Sequence, residues 1–496
     1  VAEAIKLLAE KDDVHAICAY AESIKDGDVL VEGLEAARAA RKPVIFMKVG
    51  RSEVGAAAAS SHTASLAGED VIYDAVLKHC GAYRARTTEE ALDIAYAARP
   101  RIYPVGKRIG LVTISGGGGV LMADAAADHG LDVAEMPADA QAEMKQLVPF
   151  AAPRNPVDVT AQFFNDLTLV PRFTKLMLER GNYDALIGFW TSVPGSPKIS
   201  PVLRKNLAEA MAGQKNKLFI QSLVAPPEIC KEYEDEGFPC FEDPSRAVAT
   251  MAALMSYGMA FEAGRPETPA TPNLPPLPAG DLGEKEAKEL LAEFGLPLAT
   301  DTLATSANEA MAAAETAGGP VAMKIASPDI LHKTDVGGVQ LGVDGGDAVR
   351  SAYESIVSNS KAAKPDAKID GVLVSPMAAD GVDCILGVKM DPVFGPVVMF
   401  GLGGVFTEVL KDVSFRRAPV SPAGAREMVE DLKGSALLKG ARGTEPSDLD
   451  ALCAAISKLS VFAGAHANSI ESIEINPLRA LPKGCIGLDA LIVKAK

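Results

Sequence analysis

Apolar positions along the chain follow two periods. Short continuous runs of aliphatic and β-branched residues occupy 14–21, 44–48, 109–114, 185–189 and 217–220. Runs of this length, bounded by charged residues, Gly or Pro, are the pattern of strands buried on both faces. Between them, stretches such as 1–11 and 121–129 place apolar residues at helical spacing. Strands that alternate with helices in this way predict an open parallel sheet. A further helix at 284–294 opens a different series, with strands at 321–325, 371–374, 384–388, 472–475 and 485–488. Two stretches break the rhythm: 99–108, and the far more Pro-rich 263–280, which lacks periodicity and reads as an extended linker. The expected organisation is therefore 1–100, 101–262, a linker at 263–279, and 280–496.

Composition supports this reading and narrows the function. A chain of 496 residues holds about three domains. Abundant Gly and Ala with 5% aromatics suit α/β architecture. No apolar run is long enough to span a bilayer, so no membrane role is expected. The formal net charge of −16 argues against a nucleic-acid binder. Anionic substrates would instead need local sites made of backbone amides, lysines and metal. Seven scattered cysteines without a C-x-x-C pair point away from zinc or disulfides and towards a reducing cytoplasm. The chain opens on Val rather than Met, from which a truncated N-terminus is expected.

Five places carry candidate chemistry. In 50–68, small residues surround a single imidazole, His62, and histidine is a competent phosphoryl acceptor near neutral pH. The alternative is an Ala-rich helix with one surface histidine. Glu22 ends the run 14–21, at the carboxyl end of a strand, where open α/β sheets keep their sites and where a carboxylate could orient an imidazole. A solvated strand-end glutamate is the plainer reading. Ser115, Gly116, Gly117, Gly118 and Gly119 follow a buried strand and lead into a helix, a combination that binds phosphoryl groups or simply makes a tight turn. In the last region Lys324 lies in a strand ahead of the loop 327–338, which ends on Gly337 and Gly338, a way to grip nucleotide phosphates. Asn476 and Asp489, from neighbouring late strands, would suit Mg²⁺, which takes few protein ligands.

Taken in order, these motifs resemble the ADP-forming acyl-CoA synthetases, relatives of succinyl-CoA synthetase, along essentially the whole chain. The resemblance implies flavodoxin-like succinyl-CoA-synthetase-type domains with parallel sheets, followed by an ATP-grasp domain. By it, 1–100 is part of an α-type ligase domain carrying His62 as the phosphohistidine, with Glu22 orienting it. The glycine turn 115–119 with Asn155–Asp158 resembles the β-type ligase domain. Lys324, the 332–339 motif, the 391–396 motif and Gly401–Gly404 resemble the ATP-grasp domain. Gly337, Gly338, Val339, Ser375, Met377 and Asp383 then fall on the ATP site, Glu408 on the histidine's nucleotide-side partner, and Asn476 and Asp489 on the Mg²⁺ ligands. Asp383 stands where the family usually has Glu, and Ser375 where a longer polar side chain is common. The family's N-terminal CoA-binding domain and the opening part of the α-type domain have no counterpart in these residues.

The implied reaction is carboxylic acid + CoA + ATP ⇌ acyl-CoA + ADP + phosphate, through phosphohistidine and an acyl phosphate. ATP, Mg²⁺ and coenzyme A are the expected cofactors and substrates, in a cytoplasmic homodimer or paired-subunit oligomer. Glu408 would serve His62 at the nucleotide and Glu22 at the acyl end. Two rivals share the scaffold: acyl-CoA formation that primes a further step such as elimination, and a non-catalytic nucleotide-sensing module. The acid itself is not legible.

Overall fold

The computed structural model describes residues 1–52, 54, 69–330, 332–404, 412–443 and 445–495. The chain forms two compact units. One takes in the described residues of 1–67 and 77–265, the other those of 68–76 and 266–496. Among the described residues no helix is long and apolar enough to cross a membrane.

The first unit holds two parallel sheets, as the alternation of strands and helices leads one to expect. The smaller has three strands in the order Ile17–Ala21, Val44–Lys48, Tyr83–Arg84. The larger runs Val157–Asp158, Ile109–Thr113, Ala185–Phe189, Phe219–Ser222, Cys240–Phe241, all parallel. Every residue of Ile109–Thr113 is buried, because alternate side chains feed two cores. Ile109 and Leu111 face one core and Val112 the other. The helix Pro244–Ala263 is apolar nearly all round, the mark of a buried helix rather than a surface one. It lies in the core that contains residues of both sheets, and its Tyr257 hydroxyl donates to the Val44 carbonyl at 2.7 Å. Gly258 is required there, since a Cβ would sit 2.2 Å from the Pro104 carbonyl oxygen.

The second unit is built from antiparallel sheets. A four-stranded sheet has the order Val339–Val343, Val321–Ala326, Gly371–Pro376, Thr302–Ala304. The other runs Val413–Arg417, Gly395–Leu402, Val382–Asp391, Ile470–Ala480, Cys485–Gly487, and Ala490–Lys494 also pairs with Ile470–Ala480. Burial along Val321–Ala326 alternates strictly, so Met323 and Ile325 enter the core while Lys324 lies on the more open face. The stretch between Ala263 and Glu284 contains neither helix nor strand, and its Leu274, Leu277 and Leu282 pack on the larger core of this unit.

Candidate functional site

In the second unit the fold gathers four charged side chains from distant parts of the chain. The Lys324 ammonium donates to the Leu488 carbonyl at 2.8 Å and to Glu284 at 3.1 Å, and lies 3.4 Å from Asp489. Lys333 pairs with the same Glu284 and reaches Asp489 at 3.3 Å. Glu284 is the first residue of the helix Glu284–Glu293, where the dipole favours an acid. Burial pushes its carboxyl up, but the two ammoniums outweigh burial and hold it below the ordinary value. Burial would lower Lys324; Asp489 and Glu284 more than offset this, so it stays charged. Asp489 is raised, by burial first and by the neighbouring Glu284. The result is two cations held in fixed places by two acids, an arrangement into which phosphate oxygens can be exchanged.

The glycine loop belongs to the same place. Val339 pairs with Lys324 in the sheet. Gly338 donates its amide to the Lys333 carbonyl at 2.8 Å, and a Cβ on it would come within 2.7 Å of Ile325. Gly337 turns the chain at φ 66°, where side chains are strained. Asn476 donates its backbone N–H to the Asp489 carbonyl at 3.2 Å and its side-chain amide to Glu474 at 3.0 Å. No donor to its Oδ1 is found among the described residues. One carboxylate and one amide oxygen beside an anion site fit Mg²⁺, which keeps waters and phosphate oxygens as its remaining ligands.

Other residues singled out in the sequence lie differently. Asp383 is clasped by Arg479 in a two-point ion pair at 2.7 and 3.0 Å. Ser375 is buried and donates to Asp301, while Met377 is well exposed just beyond the strand end. His62 and Glu408 lie outside the described residues. Sequence reasoning missed Glu284, Lys288 and Asp301, and gave no role to Lys333. A lysine four residues beyond a helix-opening acid was the one local signal for the first two; the pairings themselves are long-range.

In the first unit the glycines are helical. Gly116–Gly119 form the opening of the helix Gly116–Asp128 rather than a loop before it, with Ser115 as the N-cap. The first intrahelical bond runs from the Gly119 amide to the Ser115 carbonyl at 3.0 Å, so the amides of Gly116, Gly117 and Gly118 point out of the helix end. Gly116 and Gly117 are exposed. A Cβ on Gly117 would meet nothing within 4 Å, one on Gly116 would lie 3.3 Å from Asp158, and one on Gly118 would strike the Phe189 ring at 2.1 Å. Gly118→Ala is accordingly expected to destabilise the unit by about 1–3 kcal/mol. Gly117→Ala should be neutral or stabilising by up to about 1 kcal/mol, and thermal unfolding of the two variants checks the contrast. Glu22 stands just past the end of Ile17–Ala21, and its Oε2 is buried with no hydrogen-bond donor among the described residues. A buried acceptor without a donor invites one, and an imidazole N–H is suitable.

Comparison with known proteins matches domains to both units. Residues 278–493 match an ATP-grasp domain, 1–98 a succinyl-CoA ligase-like flavodoxin domain, and 109–243 a ligase-CoA domain. The chain is 33% identical to an ADP-forming acetate–CoA ligase of Archaeoglobus fulgidus, over 99% of this chain and 71% of that one. It is 32% identical to an ADP-forming 4-hydroxybutyrate–CoA ligase of Nitrosopumilus maritimus, over 99% and 72%. A third relative, the β subunit of an ADP-forming acetate–CoA ligase of Pyrococcus furiosus, is 41% identical over 42% of this chain and 90% of its own. Similarity that runs through nearly every residue of the chain places it in the ADP-forming acyl-CoA ligase family of acid–thiol ligases.

Proposed function

We propose that the second unit phosphorylates His62 from ATP and that the first unit passes this phosphoryl group to a small carboxylic acid, giving an acyl phosphate that coenzyme A then cleaves. The observation that carries the reading is the Lys324–Lys333–Glu284–Asp489 cluster beside Asn476. At the nucleotide, Lys324 and Lys333, held in place by their acids, donate to phosphate oxygens and spread the negative charge of the transferring group. Mg²⁺ held by Asp489 and Asn476 would neutralise further phosphate charge. Glu408 steadies the accepting imidazole. At the acyl end Glu22 accepts the imidazole N–H with its unpaired Oε2, and the free amides of Gly116, Gly117 and Gly118 hold the phosphoryl group at the positive end of the helix dipole. Ser375, Met377 and Asp383 are assigned to the base and ribose side.

The paired-subunit habit of the Pyrococcus relative supports a homodimer or paired-subunit assembly here. All seven cysteines are free thiols, which fits a reducing cytoplasm. The test is transfer of label from γ-labelled ATP with Mg²⁺, scored as acid-labile, base-stable phosphoprotein, with His62→Ala as the blank. Glu408→Gln should slow this half-reaction, whereas Glu22→Gln should leave it near the wild-type rate and impair transfer to the acid. Equal failure of both variants in the ATP half-reaction would end the two-carboxylate assignment.

A further inference from the structure

The helix Asp70–His79 follows directly on the segment that carries His62. Its residues 70–76, with the preceding Glu69, group with the second unit, although 77–79 group with the first. Within the second unit, Tyr73 has no exposed surface. Its ring meets Phe394 edge-on, with centroids 5.0 Å apart and planes at 79°. Phe394 is itself buried and is held rigidly. It lies in the turn between Val382–Asp391 and Gly395–Leu402, where Asp391 Oδ1 accepts the amides of Val393 and Phe394 at 2.8 and 2.9 Å. Arg417 donates to the Phe394 carbonyl at 2.9 Å, and Gly395 closes the turn at φ 71°. Four residues before Tyr73, Glu69 pairs with Lys389 of the same hairpin. Among the described residues these contacts do not involve Lys324, Lys333, Glu284 or Asp489, and the proposed reaction gives the 391–396 motif no role.

We infer that the 391–396 turn is a mooring: by holding Tyr73 it fixes the stem of the His62 segment on the nucleotide unit and so positions the histidine for phosphorylation. The inference rests on the reading of His62 as the phosphoryl acceptor. His62 is seven residues before Glu69, so a moored stem confines it to about 25 Å from Glu69, however the chain between them runs. An imidazole tethered in this way meets the γ-phosphate at a high effective concentration, and a freed stem dilutes it. Of these two contacts the buried ring pair is the stronger. Lys389 and Glu69 have side chains 64% and 52% exposed, and exposed ion pairs contribute little.

The experiment compares Phe394→Ala, Tyr73→Leu and Tyr73→Phe in the whole chain by single-turnover labelling from γ-labelled ATP. ATP affinity and amide hydrogen exchange over 69–79 are measured in parallel. Phe394→Ala and Tyr73→Leu are expected to label about 10- to 100-fold more slowly, with ATP affinity within about twofold of wild type and faster exchange at 69–79. Tyr73→Phe keeps the ring and should lose less rate than Tyr73→Leu. Wild-type labelling rates in both ring-deleted variants, or a rate loss matched by an equal loss of ATP affinity, would overturn the mooring. Label that persists in His62→Ala would overturn the histidine reading instead, and the exchange data separate these failures.

Discussion

Lys324→Met is expected to lower the rate of label transfer from ATP by about 10²- to 10³-fold, the usual consequence of removing one preorganised charge from a phosphoryl-transfer site. The ammonium is already in place before nucleotide arrives. It sits on the open face of Val321–Ala326, held by the Leu488 carbonyl, Glu284 and Asp489. No reorganisation is then needed when charge moves onto the γ-phosphoryl oxygens. Methionine keeps the length and most of the volume but removes the charge, which leaves Glu284 and Asp489 sharing Lys333 alone. Lys324→Arg should not rescue, because a planar fork cannot occupy a pocket that fixes a point charge from three sides. Rapid-quench labelling at saturating ATP separates the effect on chemistry from the effect on binding. A Lys324→Met rate within threefold of wild type would remove Lys324 from the mechanism.

The way this site is assembled explains which parts were legible in the sequence. Lys324, Gly337, Gly338, Asn476 and Asp489 stand in short motifs whose neighbours supply the geometry: a strand, a glycine turn, two late strands that pair. Glu284 carries no such context. It reads as an ordinary acid at a helix start, and only the tertiary fold brings it to Lys324, 40 residues on, and Lys333, 49 residues on. Asp383 shows the same limit from the other side, since its pairing with Arg479 spans 96 residues. The glycine run failed for a different reason. Four consecutive glycines have the poorest helix propensity short of proline, which favours a loop at 115–119. The structure starts the helix on them nonetheless: Phe189 leaves no room for a Cβ at Gly118 and Pro156 crowds Gly119, while Gly116 and Gly117 face solvent. The strands Ile109–Thr113 and Ala185–Phe189 were plain because burial on both faces leaves a continuous apolar run; Ile17–Ala21, by contrast, is buried only at alternate residues, with Cys18 and Tyr20 exposed, so its apolar run overstated its burial.

Asp301→Ala is expected to cost the second unit about 3–5 kcal/mol, because it leaves a buried ammonium without its partner. Lys288 and Asp301 are the most deeply buried ion pair among the described residues, at 3% and 2% side-chain exposure and 2.7 Å. For a unit of this size that corresponds to an unfolding midpoint lower by about 6–20 °C. The pair is also wired to the proposed reaction site. Lys288 donates to the Leu488 carbonyl at 3.3 Å, the same oxygen that receives Lys324 at 2.8 Å, and Ser375 donates to Asp301. Stability and activity should therefore separate in the double variant Lys288→Met/Asp301→Leu. Two apolar side chains of similar volume restore packing without an uncompensated charge, so the midpoint should return to the wild-type value or rise above it. The Leu488 carbonyl would nevertheless have lost one of its two donors and Ser375 its acceptor, and labelling from ATP should stay slow. Thermal unfolding and single-turnover labelling on the two variants decide the matter. If the double variant recovers both stability and rate, the buried pair serves the fold alone. If it recovers stability only, the pair is there to hold Lys324 at the nucleotide, and the fold carries a buried charge pair for the sake of the chemistry.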